Sequence, residues 1–514
     1  MWRYALIMLS TTVLAACDGG NPTSPQIHGG EKSQVPIGLL TIGSWLPFGV
    51  TATDLRLMTR DLEQELLLNQ IQFSLREQFA VEDIRDIIPA FLAESIVAAD
   101  GSLTTEQLTS AFIQQTNLTM PLYYEPRGFS DHDKLENWAT CNFRDAFKAQ
   151  CDTLPGFADT VQTIIRTLQE QYAALNGSLS GLQGYLVMNE IANENYTPEY
   201  YAAMTKAIEV IRAADPDRPA LVVSVDTEFD AAGSVEEFMR AFFRGYDPPN
   251  IFQQDQYVFR KDIPREAEDP QQRKKKTVQK QLDKLLQGYD RVCRLVVENK
   301  GRWHAIVQVQ GEDRPGQRLS AQLRIPEPGE IGVQVGLGLS RGASGIVYFV
   351  HGSGIEVASG WQYHGLVDVD GNPTPRYDTV KGINGYLNSI RIELESLYFH
   401  ASISWIEADK SSEIPQNGLF RGVDIKRSDG GLDEGGRLEF GVFGDGEDNT
   451  HLLVVNRRTH SAQTVELLVV AEPVFDVATG EELEVEDTIV RKLRLDRKLS
   501  IDLEPGGFRL LRFE

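Results

Sequence analysis

The chain is poor in the features that mark several large protein classes. It has four cysteines in 514 residues, none at metal-ligand spacing, which excludes a disulfide-dense scaffold and a cysteine-built metal centre. Its eight histidines are scattered without an HxxxH pair, so neither a metal nor another cofactor is expected. Basic charge is scarce: 50 Lys+Arg against 74 Asp+Glu give a net charge of −24, which opposes bulk attraction to polyanions and excludes nucleic acid as an expected partner. The basic run Arg273-Lys274-Lys275-Lys276 lies beside a long amphipathic pattern and reads as a solvated helix start. No GxGxxG follows a strand pattern, GxxxxGK[ST] is missing, and no GxSxG stands at a strand-to-helix elbow, the one match, Gly338-Leu339-Ser340-Arg341-Gly342, running the other way from a helical pattern into an expected strand, which argues against dinucleotide, P-loop and serine-hydrolase chemistry. Beyond the first residues no run approaches the ~20 apolar residues needed to span a bilayer. What remains is ordinary globular composition, 41% hydrophobic and 24% charged, in a chain long enough for two or three domains.

At the N-terminus Arg3 precedes an apolar run from Tyr4 to Leu9 and then Val13-Leu14-Ala15-Ala16-Cys17, the layout of a secretory signal too short to span a membrane. Leu14-Ala15-Ala16-Cys17 resembles the bacterial lipobox. That resemblance implies removal of residues 1–16 as a lipoprotein signal peptide and a diacylglycerol on Cys17. Residues 17–35 then read as a tether, and the expected place is the bacterial cell envelope, with an exported body held at a membrane by its lipid on the periplasmic or cell-surface side. Cys141 and Cys151 are spaced to close a short loop, with the disulfide and the free thiols equally open. Cys293 falls in the helical pattern Leu282, Leu285, Leu286, Tyr289, Val292, Val296 and reads as core.

From Pro36 to Leu397, short β-branched or apolar runs alternate with stretches of helical period, the pattern of βα units around a parallel sheet. The strand candidates are Ile37–Ser44, Ile71–Arg76, Asn117–Tyr124, Gly184–Glu190, Ala220–Val225, Ile251–Tyr257, Trp303–Gln310 and Ser344–Val350. Eight units predict an α/β fold, a (β/α)8 TIM barrel over residues 36–400 with enlarged loops, in preference to two smaller α/β domains. Beyond Ala401 the texture changes to short alternating runs separated by Gly, Asp and Asn: His451–Asn456, Thr464–Val470, Lys492–Leu495, Lys498–Leu503 and Phe508–Phe513. Residues 401–514 therefore predict a C-terminal antiparallel β-sandwich.

In a barrel of this kind reactive groups stand at the C-terminal strand ends. The fourth strand closes on Leu186-Val187-Met188-Asn189-Glu190, and alternation places Leu186, Met188 and Glu190 on one face. If that face is inward, Glu190 is a carboxyl among apolar side chains, where desolvation raises its pKa toward that of a general acid. Met188-Asn189-Glu190 resembles the Asn-Glu pair that closes strand four in the large clan of retaining (β/α)8 glycoside hydrolases, and the wider chain is similar to their beta-galactosidase-like members. The similarity extends to Asp255-Gln256-Tyr257, to Leu337–Phe349, to Gly365-Leu366-Val367-Asp368 with Asp370–Tyr377, and to Val474–Gly480 and Leu503–Phe508 in the tail. The resemblance implies that Glu190 is acid/base, that Asn189 bonds the sugar 2-hydroxyl, and that a nucleophile closes strand seven.

That strand reads Trp303-His304-Ala305-Ile306-Val307-Gln308-Val309-Gln310-Gly311-Glu312-Asp313. Gln308 and Gln310 cannot act as nucleophiles, and Glu312 shares their parity if the extension continues, so Glu312 is the expected second carboxylate. Sugars offer C–H faces to aromatic rings, and Trp45, Tyr257, Tyr348 and Trp361 fall at or just past expected strand ends as substrate-contacting candidates. The expected activity is hydrolysis of O-glycosidic bonds in an oligo- or polysaccharide. The alternative, drawn from the two glutamines of strand seven, is a non-catalytic carbohydrate-binding or scaffold lipoprotein on the same barrel.

Overall fold

A computed structural model describes residues 36–38, 40–45, 65–68, 70–73, 122–124, 162, 165–166, 169–170, 173, 182–188, 198–225, 234–261, 270–319, 322–356, 360–406, 418–427, 436–446, 448–470, 472–490 and 494–514. Eight parallel strands close a barrel in chain order: β1 (Thr41–Trp45), β2 (Gln70–Phe73), β3 (Leu122–Tyr124), β4 (Leu182–Met188), β5 (Ala220–Val225), β6 (Ile251–Asp255), β7 (Arg302–Gln308) and β9 (Gly345–Phe349). Closure comes from β9, which pairs with β7 on one side and β1 on the other. The α/β barrel read from the alternation is thus the fold.

Period-2 alternation separates the two faces of the wall. Leu221, Val223, Ile251, Ile306 and Val347 form one small buried cluster with Val350 inside the barrel. Their neighbours Val222, Phe252, Trp303, Ala305 and Ile346 belong to the large core under the helices. Both faces are buried, which is why these strands read as nearly continuous apolar runs. Helices with described bounds are α1 (Pro198–Ala214), α2 (Ser234–Phe243), α3 (Pro270–Glu298), α4 (Pro328–Leu339) and α5 (Pro375–Ser396). Four of them open on proline, whose fixed φ suits the first helical turn and whose missing N–H costs nothing there. Cys293 of α3 is fully buried and free, and burial pushes its thiol well above the usual range. No helix among the described residues is long and apolar enough to cross a membrane.

After α5 the chain enters two antiparallel sheets. One orders β12 (Tyr398–Ile406), β14 (Arg437–Gly444), β15 (Asn449–Asn456), β20 (Phe508–Phe513) and β17 (Val474–Asp476). The other orders β13 (Phe420–Arg427), β16 (Gln463–Val469), β19 (Arg494–Leu503) and β18 (Val485–Val490). Leu438, Phe440 and Val442 from the first face Val465, Leu467 and Ile501 from the second across a buried core, the C-terminal sandwich of the sequence reading. Two expected strands, Lys492–Leu495 and Lys498–Leu503, are one, because β19 keeps its pairing with β18 and β16 across the charged residues between them.

Helix α4 docks the barrel on this sandwich. A Cβ on Gly332 would lie 2.7 Å from the Gly506 carbonyl oxygen, and one on Gly329 would lie 2.3 Å from that of Thr459. Glycine is therefore required where the helix meets sandwich backbone. Beside it runs a buried ionic seam: Arg341, between α4 and β9, reaches Asp290 of α3 at 3.0 Å and Glu439 of β14 at 2.6 Å.

Candidate functional site at the barrel mouth

The C-terminal ends of β6, β7 and β9 carry the described part of the mouth. Strand β7 stops at Gln308 rather than running on to Gln310, because the Gln308 side chain becomes a zipper. Its amide nitrogen donates to the carbonyls of Phe259 (3.1 Å), Arg324 (3.1 Å) and Gln310 (3.3 Å), and its oxygen accepts from the Phe259 N–H at 3.0 Å. Gln334 of α4 bonds both the N–H (3.0 Å) and the C=O (3.1 Å) of Gln308 from behind. With that capacity used, Gln308 holds the loop after β6 and the segment before α4 against β7. Gln310 differs: it is fully buried, and neither end of its amide has a hydrogen-bond partner among the described residues. A buried amide left open is costly, which marks it as a place where a ligand's donor and acceptor would be gained.

Past Gln310 the chain forms a separate strap across the mouth, an antiparallel sheet of β8 (Gly311–Asp313), β11 (Trp361–His364) and β10 (Gly354–Glu356). Glu312 is placed by this strap rather than by continued extension of β7, which corrects the parity argument. It is opposite Tyr363 in the register, so the two side chains share a face, and Trp361, two residues from Tyr363, shares it too. That face is turned to the barrel: the Tyr363 ring is 6.2 Å from Phe349, and Phe349 is 5.4 Å from Tyr257. Tyr257, Phe349 and Tyr363 line the inner cluster. The Phe349–Val350 peptide, at the end of β9, is cis.

Glu312 is 2% exposed, and its charge is held by Arg314. Nη2 donates to Oε2 at 2.8 Å, and Nε stands 2.8 Å from Oε1 as an ion-pair contact without hydrogen-bond geometry. The same guanidinium lies 4.0 Å from the centroid of the Trp361 ring, within cation–π range. On the opposite face of the strap Asp313 is bonded by Lys261 and by His364 Nε2 at 2.9 Å. Lys261 first and His364 second hold the Asp313 carboxyl below the ordinary aspartate range. Asp313 and His364 are 43% and 41% exposed, so this face meets water while the Glu312 face meets the barrel.

The expected site residues therefore divide. Glu312, Tyr257 and Trp361 come together at the mouth. Tyr348 does not: its outward parity sets it behind the wall, fully buried, where its hydroxyl donates to Asn384 Oδ1 of α5 at 2.7 Å. It is a wall residue, correcting its place among the substrate contacts. Asn189 and Glu190 follow the last described residue of β4 and lie outside the described residues, as do Cys17, Cys141 and Cys151. The backbone of Trp45 closes β1, and its side chain lies outside the described residues. Among the described residues no group of three or more His, Cys, Asp or Glu could hold a metal ion. Phe349, Tyr363, Arg314 and Gln310 complete the site. Phe349 was readable as the end of an expected strand, whereas Arg314 sits in a Gly-Glu-Asp-Arg-Pro stretch that signals only a turn.

No family model matches the chain. No curated protein matches its sequence. Solved structures with a similar trace are glycoside hydrolases. A GH42 beta-galactosidase from G. stearothermophilus, solved as a catalytic mutant, has 10% identity and a TM-score of 0.46, covering 92% of this chain and 98% of that one. The beta-galactosidase of the haloarchaeon Halorubrum lacusprofundi has 13% identity and a TM-score of 0.43, covering 68% and 58%. An intracellular xylanase from Thermoanaerobacterium saccharolyticum has 12% identity and a TM-score of 0.37, covering 68% and 99%. At these values the likeness carries no argument about what this chain binds or cleaves.

Proposed function

We propose that the protein hydrolyses O-glycosidic bonds of an oligo- or polysaccharide at the C-terminal mouth of its barrel. The observation that supports this reading is one buried carboxylate, Glu312, on the strap face that also carries Tyr363 and Trp361 and that joins Phe349 and Tyr257. Sugar rings stack on such aromatic faces, and glycoside cleavage needs paired carboxyl groups beside them. In the proposed reaction Glu190 protonates the leaving oxygen and Asn189 bonds the 2-hydroxyl. Glu312 attacks the anomeric carbon if the two carboxyls are ~5–5.5 Å apart, or activates a water if they are ~6.5–9.5 Å apart. Trp45, Tyr257 and Trp361 are the proposed stacking and hydroxyl contacts. The reaction so written uses no cofactor. Sugar release from a glycan panel tests it: wild type should release sugar, and Glu190→Gln and Glu312→Gln should each lose at least 100-fold on the general acid–base scale of ~10²–10⁴. Equal turnover by either variant would remove that residue from the mechanism.

A second reading, glycan binding without cleavage, is favoured by Gln308 at the end of β7, by Gln310 just past it, and by the Arg314 guanidinium that neutralises Glu312. It predicts glycan binding by wild type with no release. We propose further that Cys17 carries a lipid and holds the body at a bacterial envelope membrane. Metabolic labelling with a radioactive fatty acid should mark the wild type and not Cys17→Ser; equal labelling would refute the anchor.

A further inference from the structure

Arg314 occupies the two features of the mouth that a sugar would use. Its guanidinium donates to Glu312 Oε2 at 2.8 Å, stands 2.8 Å from Oε1, and covers the ring of Trp361 at 4.0 Å. We propose that Arg314 is an internal occupant of the sugar site, which an incoming pyranoside displaces from the Trp361 face and from Glu312 together. This rests on the reading of the mouth as a glycan site and deepens it by naming the residue that sets which ligands enter.

The chemistry of the exchange is matched. A carboxylate is acceptor-only and needs donors, which Arg314 supplies as N–H groups and a pyranoside supplies as O–H groups. The indole face attracts a cation through its quadrupole, and it attracts the C–H face of a sugar through the same electron density and through apolar contact. A ligand that brings only one of these, an apolar ring or an isolated diol, replaces half of what it removes. A neutral pyranoside brings both.

The surroundings let the side chain move while its backbone stays. The Arg314 side chain is 25% exposed, against 2% for Glu312, so it is partly open to water although its Nε is buried. Its carbonyl accepts from the Gln317 N–H at 3.1 Å and from Gln322 Nε2 at 3.3 Å, which fixes the main chain at the turn. The turn then runs through Pro315 to Gly316, whose φ of +81° favours glycine. No second carboxylate is bonded to Arg314 among the described residues. Lys261 and His364 are committed to Asp313 on the other face of the strap, and among the described residues Arg314 is the cation bonded to Glu312.

The experiment uses the full chain, Arg314→Ala, Arg314→Lys and a Trp361→Phe control that isolates the Trp361 emission by difference. Without sugar, acrylamide quenching of that emission should rise about twofold in Arg314→Ala and less in Arg314→Lys, which keeps a cation but loses the planar fork. With a panel of neutral hexasaccharides, Arg314→Ala should bind three- to tenfold tighter than wild type. Weaker or unchanged binding, or unchanged quenching, would overturn the displacement and make Arg314 a residue that only positions Glu312, leaving the glycan reading intact. Absence of binding by wild type and both variants would overturn the glycan reading itself, and this inference with it. If Arg314→Ala does not fold, Arg314→Lys decides by the same two readouts.

Discussion

Two buried glutamates are held by arginine in this molecule, and their settings are built differently. At the seam between barrel and sandwich, Glu439 is wholly buried and accepts from Arg341 (2.6 Å), Arg457 (2.7 Å) and Ser404 (2.6 Å). The two arginines are themselves 1% and 2% exposed. Burial works against the Arg341 charge, but Glu439 and Asp290 more than offset it, so the guanidinium stays above its ordinary range. At the mouth Glu312 has one partner among the described residues, Arg314, and that partner stands partly in water. The first arrangement is over-determined: no partner can leave without stranding a charge in the interior. The second can open on one side. The difference separates a joint that fastens two domains from an ion pair that a ligand can exchange.

The predictions that sharpen this contrast run from the seam to the mouth. Glu439→Ala leaves Arg341 and Arg457 buried without their shared acceptor and should cost about 3–5 kcal/mol in chemical denaturation; a loss below about 1 kcal/mol would deny the seam its fastening role. Gln308→Ala strips the zipper from buried backbone groups and should cost about 1–3 kcal/mol, read in the same way. His304 gives a pH test inside the barrel. It is fully buried beside Gln253, and desolvation first, with Arg302 second, depresses its pKa to about 3. The unfolded chain then binds a proton at His304 below about pH 6.5 that the folded chain refuses down to about pH 3. Stability from this group is present above about pH 6.5 and falls as pH drops, at up to about 1.4 kcal/mol per pH unit. His304→Gln should flatten the slope between pH 6 and pH 4 relative to wild type, and an unchanged slope would refute it. At the mouth Glu312→Gln should change folding stability by only ~0–1 kcal/mol, because its partner is solvated. A loss as large as that at Glu439 would make the two settings alike and remove the contrast.

The barrel was legible because a parallel wall buried on both faces writes itself as repeated apolar runs, as in Ala220–Val225 and Gly345–Phe349. The sandwich was legible from short apolar runs set between turn residues, as at residues 452–455 of β15 and along β20. The strap was not. Gly311–Asp313 is three residues long, and its partner strand lies some fifty residues later, so no local period announces the pairing. Parity therefore put Glu312 on the correct face for the wrong reason, as an extension of β7 instead of a strand of its own. Tyr348 shows the converse. Its strand was expected at the right place, but the period alone does not say which of two buried faces is the inside, and Tyr348 belongs to the outer one with Asn384. Arg314 escaped because nothing in a turn sequence tells which carboxylate or ring a long side chain will find.

The claim at the centre of this account is that a glycan enters the mouth on the inner face of the strap. A crystal structure of Glu190→Gln soaked with an oligosaccharide it binds tests that claim most directly. The expected result is a sugar ring over Trp361, the Arg314 guanidinium turned away, and the Glu312 carboxylate facing the anomeric carbon or a water beside it. A sugar bound elsewhere, with Arg314 still bonded to Glu312 and stacked on Trp361, would contradict it.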